Sequence, residues 1–268
     1  MFVNQNFLNS LQNFIFLQST FLGVEGCKPF VLPDRITTDT RYFRQNEYGF
    51  WVYCNLLEDL IALVNLLRSY VCPGPYAPIM RSGDPLYNLA RSTLEKYADI
   101  VNFNSLSLKF GNGRRFDEYS NYLVFLKKAQ DYEYRKSPEY DTESLRLCKM
   151  LGLGGKHVHR KTRYVLAKQG ASFPWLPYQD QDKLRKFTET LSSLDAKFSP
   201  RLHGNPPDQE VNIYDNIEQV YKLVVLVSIG AFTNFCQYEN FSFANILYSP
   251  YAPSLSAFLP INPYFIGQ

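Results

Sequence analysis

Residues Glu47–Val71 read EYGFWVYCNLLEDLIALVNLLRSYV, and this stretch decides the fold class. Trp51, Leu56, Leu57, Leu60, Ile61, Val64, Leu66 and Leu67 recur at helical spacing. They leave hardly any polar face apart from Glu58, Asp59 and Arg68. A helix that is apolar almost all round is a buried one, so the spacing predicts the central helix of an α-helical core. Trp51, Leu57, Leu60, Ile61 and Val64 are expected inside, with Leu223, Val224 and Leu226 as neighbours. Pro73-Gly74-Pro75 and Pro78 end the helix.

Outward from this stretch, helical periodicity returns repeatedly. Asp84-Pro85 is a good helix start, because Asp caps free N–H groups and Pro suits the first turn. That helix is expected to reach Val101, followed by a polar, irregular or strand-like piece over 102–113. Further helices are expected over 115–136, over 141–151 from an Asp141 or Thr142 cap, and over 181–198. A basic helix over 156–169 should end on Gly170, and a long apolar helix should span 211–238. The fold class is mostly α: a helical single-domain subunit of about seven helices with extended, uncharged N- and C-terminal segments. Any domain boundary falls near Pro73–Pro85 or Ser199–Pro207.

The two ends carry no charge. All 28 Lys and Arg and all 25 Asp and Glu lie between Glu25 and Glu239. Residues 1–26 read as an amphipathic arm with Phe7, Leu8, Leu11, Phe14 and Ile15 at helical spacing, residues 27–239 as the helical core, and residues 240–268 as an extended Pro- and aromatic-rich segment. Uncharged aromatic ends are a liability in water. They are expected to contact other copies of the chain, through Phe7, Leu11 and Phe14 at one end and Tyr248, Tyr251 and Phe258 at the other. The 20 Tyr and 21 Phe fit that reading, since aromatic rings are favoured at interfaces.

Five cysteines are scattered without C-x-x-C spacing, which argues against a disulfide framework or a thiolate zinc site and for reduced, buried thiols. Met1–Leu22 lacks the positive charge of a secretory or mitochondrial leader. No run reaches the roughly 18 apolar residues of a spanning helix, so no membrane partner is expected.

Catalytic motifs are missing. Gly152-Leu-Gly-Gly155-Lys156 has Met150 and His157 where a phosphate-binding loop needs Gly and Ser or Thr. His157 and His159 would share a face on a strand, yet a metal site needs a third ligand. The neighbouring pairs Glu58-Asp59 and Asp117-Glu118 diverge by about 100° on a helix. Glu58 and Asp59, on so apolar a helix, are expected to pair with an Arg from elsewhere. The chain reads as a non-enzyme with no cofactor, no metal and no small-molecule substrate. A pocket with convergent, perturbed carboxylates would be the observation that reopens catalysis.

One charge pattern has a functional reading. No acidic residue lies between Glu143 and Asp180, while Arg146, Lys149, Lys156, Arg160, Lys161, Arg163 and Lys168 do. The net charge of +3 therefore hides a basic block and a net negative remainder. Lys156, His157, His159, Arg160, Lys161, Arg163 and Lys168 are candidates to bind RNA through its phosphates, independent of sequence. Arg114-Arg115 could extend the block, and Tyr164 and Trp175 could stack bases. The competing reading is a basic face that meets an acidic face of another subunit.

Arg41-Tyr42-Phe43, Glu47-Tyr48-Gly49-Phe50-Trp51 and the Pro75-Tyr76-Ala77-Pro78 turn resemble coat proteins of small segmented double-stranded RNA viruses, the partitivirus type. The likeness is one of texture and element order, over roughly residues 30–200, and no diagnostic motif carries it. It implies a helical capsid subunit that dimerises and closes an icosahedral shell around RNA, located in the virion and the host cytoplasm. The alternative is a non-catalytic accessory subunit of a large intracellular complex.

Overall fold

The computed structural model describes residues 3, 5–24, 45–71, 84–110, 114–155, 157–173, 178–199 and 213–238. Among them are nine helices and no strand. They are α1 (Gln5–Val24), α2 (Gln45–Val71), α3 (Asp84–Phe110), α4 (Arg114–Lys128), α5 (Tyr132–Arg135), α6 (Pro138–Met150), α7 (Thr162–Gly170), α8 (Tyr178–Phe198) and α9 (Ile213–Tyr238). The expectation of a mostly α fold holds.

The hub is α3, which packs on α2, α4, α7, α8 and α9, whereas α2 was expected at the centre. Leu57, Leu60 and Val64 of α2 are buried, as are Leu223 and Val224 of α9, but Trp51, Ile61 and Leu226 are only half-buried. Hydropathy alone favours α2. Besides apolar side chains, α3 buries Thr93, Asp99 and Asn102, each hydrogen-bonded inside. Helix α3 also continues past Val101. Asn102 Nδ2 donates to Tyr119 Oη and to the Arg163 carbonyl, both at 2.9 Å, and Phe103 packs edge-on against Tyr119.

The first helix belongs to the core. Leu8, Leu11, Phe14 and Ile15 are buried within the subunit, and Phe14 meets Phe232 of α9 edge-on at 6.1 Å. Gln18 is fully buried; it accepts a hydrogen bond from Tyr53 Oη of α2 and donates to the Ser228 carbonyl of α9. Leu11 and Phe14 are thus covered by the chain's own core, not held out for another copy, and Phe7 is half-buried against it. Burying each such side chain is favourable by about 1.5–3 kcal/mol, which the amphipathic pattern can realise internally. Tyr248, Tyr251 and Phe258 lie outside the described residues.

Three more boundaries fall elsewhere than expected. The helix expected over 115–136 is two: α4 stops at Lys128, and α5 starts at Tyr132 behind an Asp131 cap that accepts from the Glu133 N–H. Helix α6 begins at Pro138 behind a Ser137 cap, whose Oγ accepts from the Tyr140 N–H at 3.3 Å. It ends where Gly152 turns to φ +68°, with the Gly152 N–H donating to Lys149 and the Leu153 N–H to Cys148. A side chain at that φ would be strained, so the glycine closes the helix. The segment from His157 to Lys161 is not helical, contrary to the expected basic helix. Hydroxyls hold it open: Ser144 Oγ accepts from the Val158 N–H at 2.9 Å, and Thr162 Oγ1 from the His159 N–H at 3.0 Å.

A buried arginine–carboxylate cluster and its cleft

Helix α3 presents Glu95 and Asp99 one turn apart on one face, and α8 presents Asp195 opposite. Arg160 and Arg163, at the start of α7, enter between them. Arg163 Nη1 donates to Glu95 Oε2 at 2.9 Å and reaches Asp99 Oδ2 at 3.5 Å. Arg160 Nη2 donates to both oxygens of Asp195, at 2.9 and 2.7 Å, while its Nη1 donates to Glu95. Arg91 of α3 lies 3.4 Å from Asp195. The fully buried Asp195 also accepts from Tyr164 Oη at 3.2 Å. Three guanidinium groups and three carboxylates therefore tie α3, α7 and α8 together.

Tyrosines from α4 complete the arrangement. Tyr122 Oη donates to the carbonyls of His159 and Arg160, at 2.8 and 3.2 Å, and accepts the Arg163 N–H at 3.2 Å. Lys161 caps α7 without a side-chain bond, and this phenol serves the first turn instead. Tyr119 Oη donates to Asp99. Burial pushes both phenols up, so they stay neutral donors. Burial also holds the Asp99 carboxyl above its ordinary range, against the pull of Arg163 and the Tyr119 hydrogen bond, and raises Glu95. The Arg163 guanidinium is raised by the facing acids and stays charged.

The basic block is thereby split. Arg160 and Arg163 are ion-paired inside the subunit, so they do not form the exposed RNA-binding surface expected of them; Arg163 is 7% exposed, and its buried Nε has no hydrogen-bond partner among the described residues. Tyr164 is buried against Asp195 and cannot stack a base. His157, His159, Lys161 and Lys168 are exposed. The two histidines flank buried Val158 on a non-helical segment, and His157 Nδ1 stands 3.8 Å from Asp141. No group of three or more His, Cys, Asp or Glu is placed to hold a metal among the described residues. Lys156 and Trp175 lie outside them. On α2, Asp59 does find a cation, though Lys96 at 2.7 Å and not an Arg.

Beside the cluster opens a cleft of about 750 Å³. Glu95, Asp99, Arg160 and Arg163 line it together with Leu123, Leu126 and Tyr140, and Lys127 and Arg135 contribute further cations. Convergent, perturbed carboxylates in a pocket were the pattern that would reopen catalysis. Here each accepts from a guanidinium or a phenol, which fixes helices in place. The sequence reading did not find these acids. Glu95 and Asp99 at i, i+4 on a helix were the available signal, but their partners lie some sixty residues away in the chain.

No family model, no curated protein and no solved structure matches this chain.

Proposed function

We propose that the chain is a non-catalytic, self-associating structural subunit of coat type that encloses RNA in a virion formed in the host cytoplasm. The observation that carries this reading is the outer face of α1. The helix has no charged side chain over its 20 residues. Its inner face is spent in the subunit's core; Asn6, Asn13 and Phe16 form an exposed stripe on the other side, and Asn9 between them accepts from Arg68 of α2 at 3.0 Å. An uncharged, amide-rich stripe loses little solvation when a like surface meets it, whereas a charged one must find partners. The 240–268 segment, equally uncharged, supports the same reading.

RNA contact belongs to the outer face of α7. Lys161, Val165 and Lys168 are exposed at positions i, i+4 and i+7 of one stripe. No carboxylate pairs with either lysine among the described residues, while the inward arginines are neutralised.

Electron microscopy and sedimentation of the purified chain test the assembly. Closed particles are expected, and Asn13→Glu is expected to prevent them without lowering the melting temperature. Replacing Lys161 and Lys168 with Gln should leave particles intact and reduce the salt slope of RNA binding by about two. A chain that stays monomeric at all concentrations overturns the proposal and favours docking on unlike partners.

A further inference from the structure

The cleft beside the charge cluster is lined by neither the exposed stripe of α1 nor the lysines of α7. Its volume of about 750 Å³ is that of a small-molecule site. Its charge cluster is electrostatically closed: Glu95 and Asp99 already face Arg160 and Arg163. The walls supply apolar surface from Leu123 and Leu126 and the ring of Tyr140, which stacks on buried Phe125 at 5.1 Å.

Two further cations line the same cleft. Lys127 and Arg135 are exposed, and neither has an ion-pair partner among the described residues, although the adjacent Lys128 has Glu143 at 3.5 Å. Arg135 is held over the Tyr132 ring, 5.8 Å from its centre. The cleft thus combines an apolar interior with two uncompensated positive charges. A ligand that matches both has an apolar body and one anionic group.

We propose that this cleft binds a small organic anion, its apolar body against Leu123, Leu126 and Tyr140 and its phosphate or carboxylate held by Lys127 and Arg135. This departs from the expectation that the chain has no small-molecule partner, and it stands whether or not the chain assembles. The anionic group and the two cations can form charge-assisted hydrogen bonds, which are stronger than neutral ones.

The test uses the full chain and three probes. Fluorescence titration with 1-anilinonaphthalene-8-sulfonate should saturate at one site per subunit. Displacement by adenosine monophosphate identifies the phosphate chemistry, and displacement by decanoate the carboxylate chemistry. Changing Lys127 and Arg135 together to Gln should weaken the fluorescent probe roughly tenfold with an unchanged melting temperature, because both side chains are exposed. Lys197→Gln, an exposed site on α8 outside the cleft, should bind as the parent does. Non-saturable binding, or equal affinity of the Lys127, Arg135 variant and the parent, overturns the proposal.

Discussion

Arg163 and Lys161 stand two residues apart in one basic run, and the fold gives them opposite tasks. Arg163 is enclosed by Glu95 and Asp99; Arg163→Gln leaves the buried Asp99 without its counter-ion, while Glu95 keeps Arg160 and Arg91. We expect a loss of about 3–5 kcal/mol in denaturant unfolding. The exposed Lys161→Gln should stay within about 0.5 kcal/mol of the parent. Asp99 adds a pH signature. Its carboxyl is held above the usual 3.8 by burial, so the folded chain binds that proton more tightly than the unfolded chain. The associated stability is complete below the unfolded value and is lost as pH rises through the raised native one. Asp99→Asn keeps an acceptor for Tyr119 but does not titrate. The melting temperature of the parent relative to this variant should therefore fall from about pH 4 upward. A relative rise over the same interval would contradict the assignment. None of this was visible in the basic run itself, because a charge's partners are set by the fold and not by its neighbours in sequence.

At the scale of elements, α3 and α9 approach closely at a glycine. Gly230 of α9 lies against Tyr97 of α3, and a Cβ at that position would come within 2.6 Å of Tyr97 Oη and 2.9 Å of Cε2. The ring cannot yield easily: it is fully buried, pairs with Thr188, and packs on Phe187 at 5.8 Å. Alanine would gain about 1 kcal/mol of helix propensity. Overpacking costs about 1–3 kcal/mol. Gly230→Ala is expected to be destabilising on balance, measured by chemical denaturation, and a stabilised variant would show that the helices can separate. Helix existence was legible in α2, α8 and α9, whose apolar spacing is dense. The C-terminal extension of α3 and the open segment before α7 were not, because both depend on hydrogen bonds between distant residues, such as Asn102 to Arg163 and Ser144 to Val158.

For the whole molecule, α1 decides whether the chain's ends are accessory or integral. Since Leu8, Leu11, Phe14 and Ile15 are buried and Gln18 is bonded to both α2 and α9, deletion of residues 1–22 should destabilise the fold itself, with loss of cooperative melting by circular dichroism. A truncated chain that melts like the parent would make α1 an appendage. Sequence by itself determined the helical class, the position of most helices and the amphipathic character of α1, because each follows from the period of apolar residues along a local stretch. It also showed that charge is segregated. Only the tertiary structure decided that α3 is the hub, that the apolar face of α1 is spent inward, and that the basic run divides into arginines turned toward Glu95, Asp99 and Asp195 and lysines left in water. Periodicity says which face of a helix avoids water, but the surface that covers that face comes from distant segments of the chain.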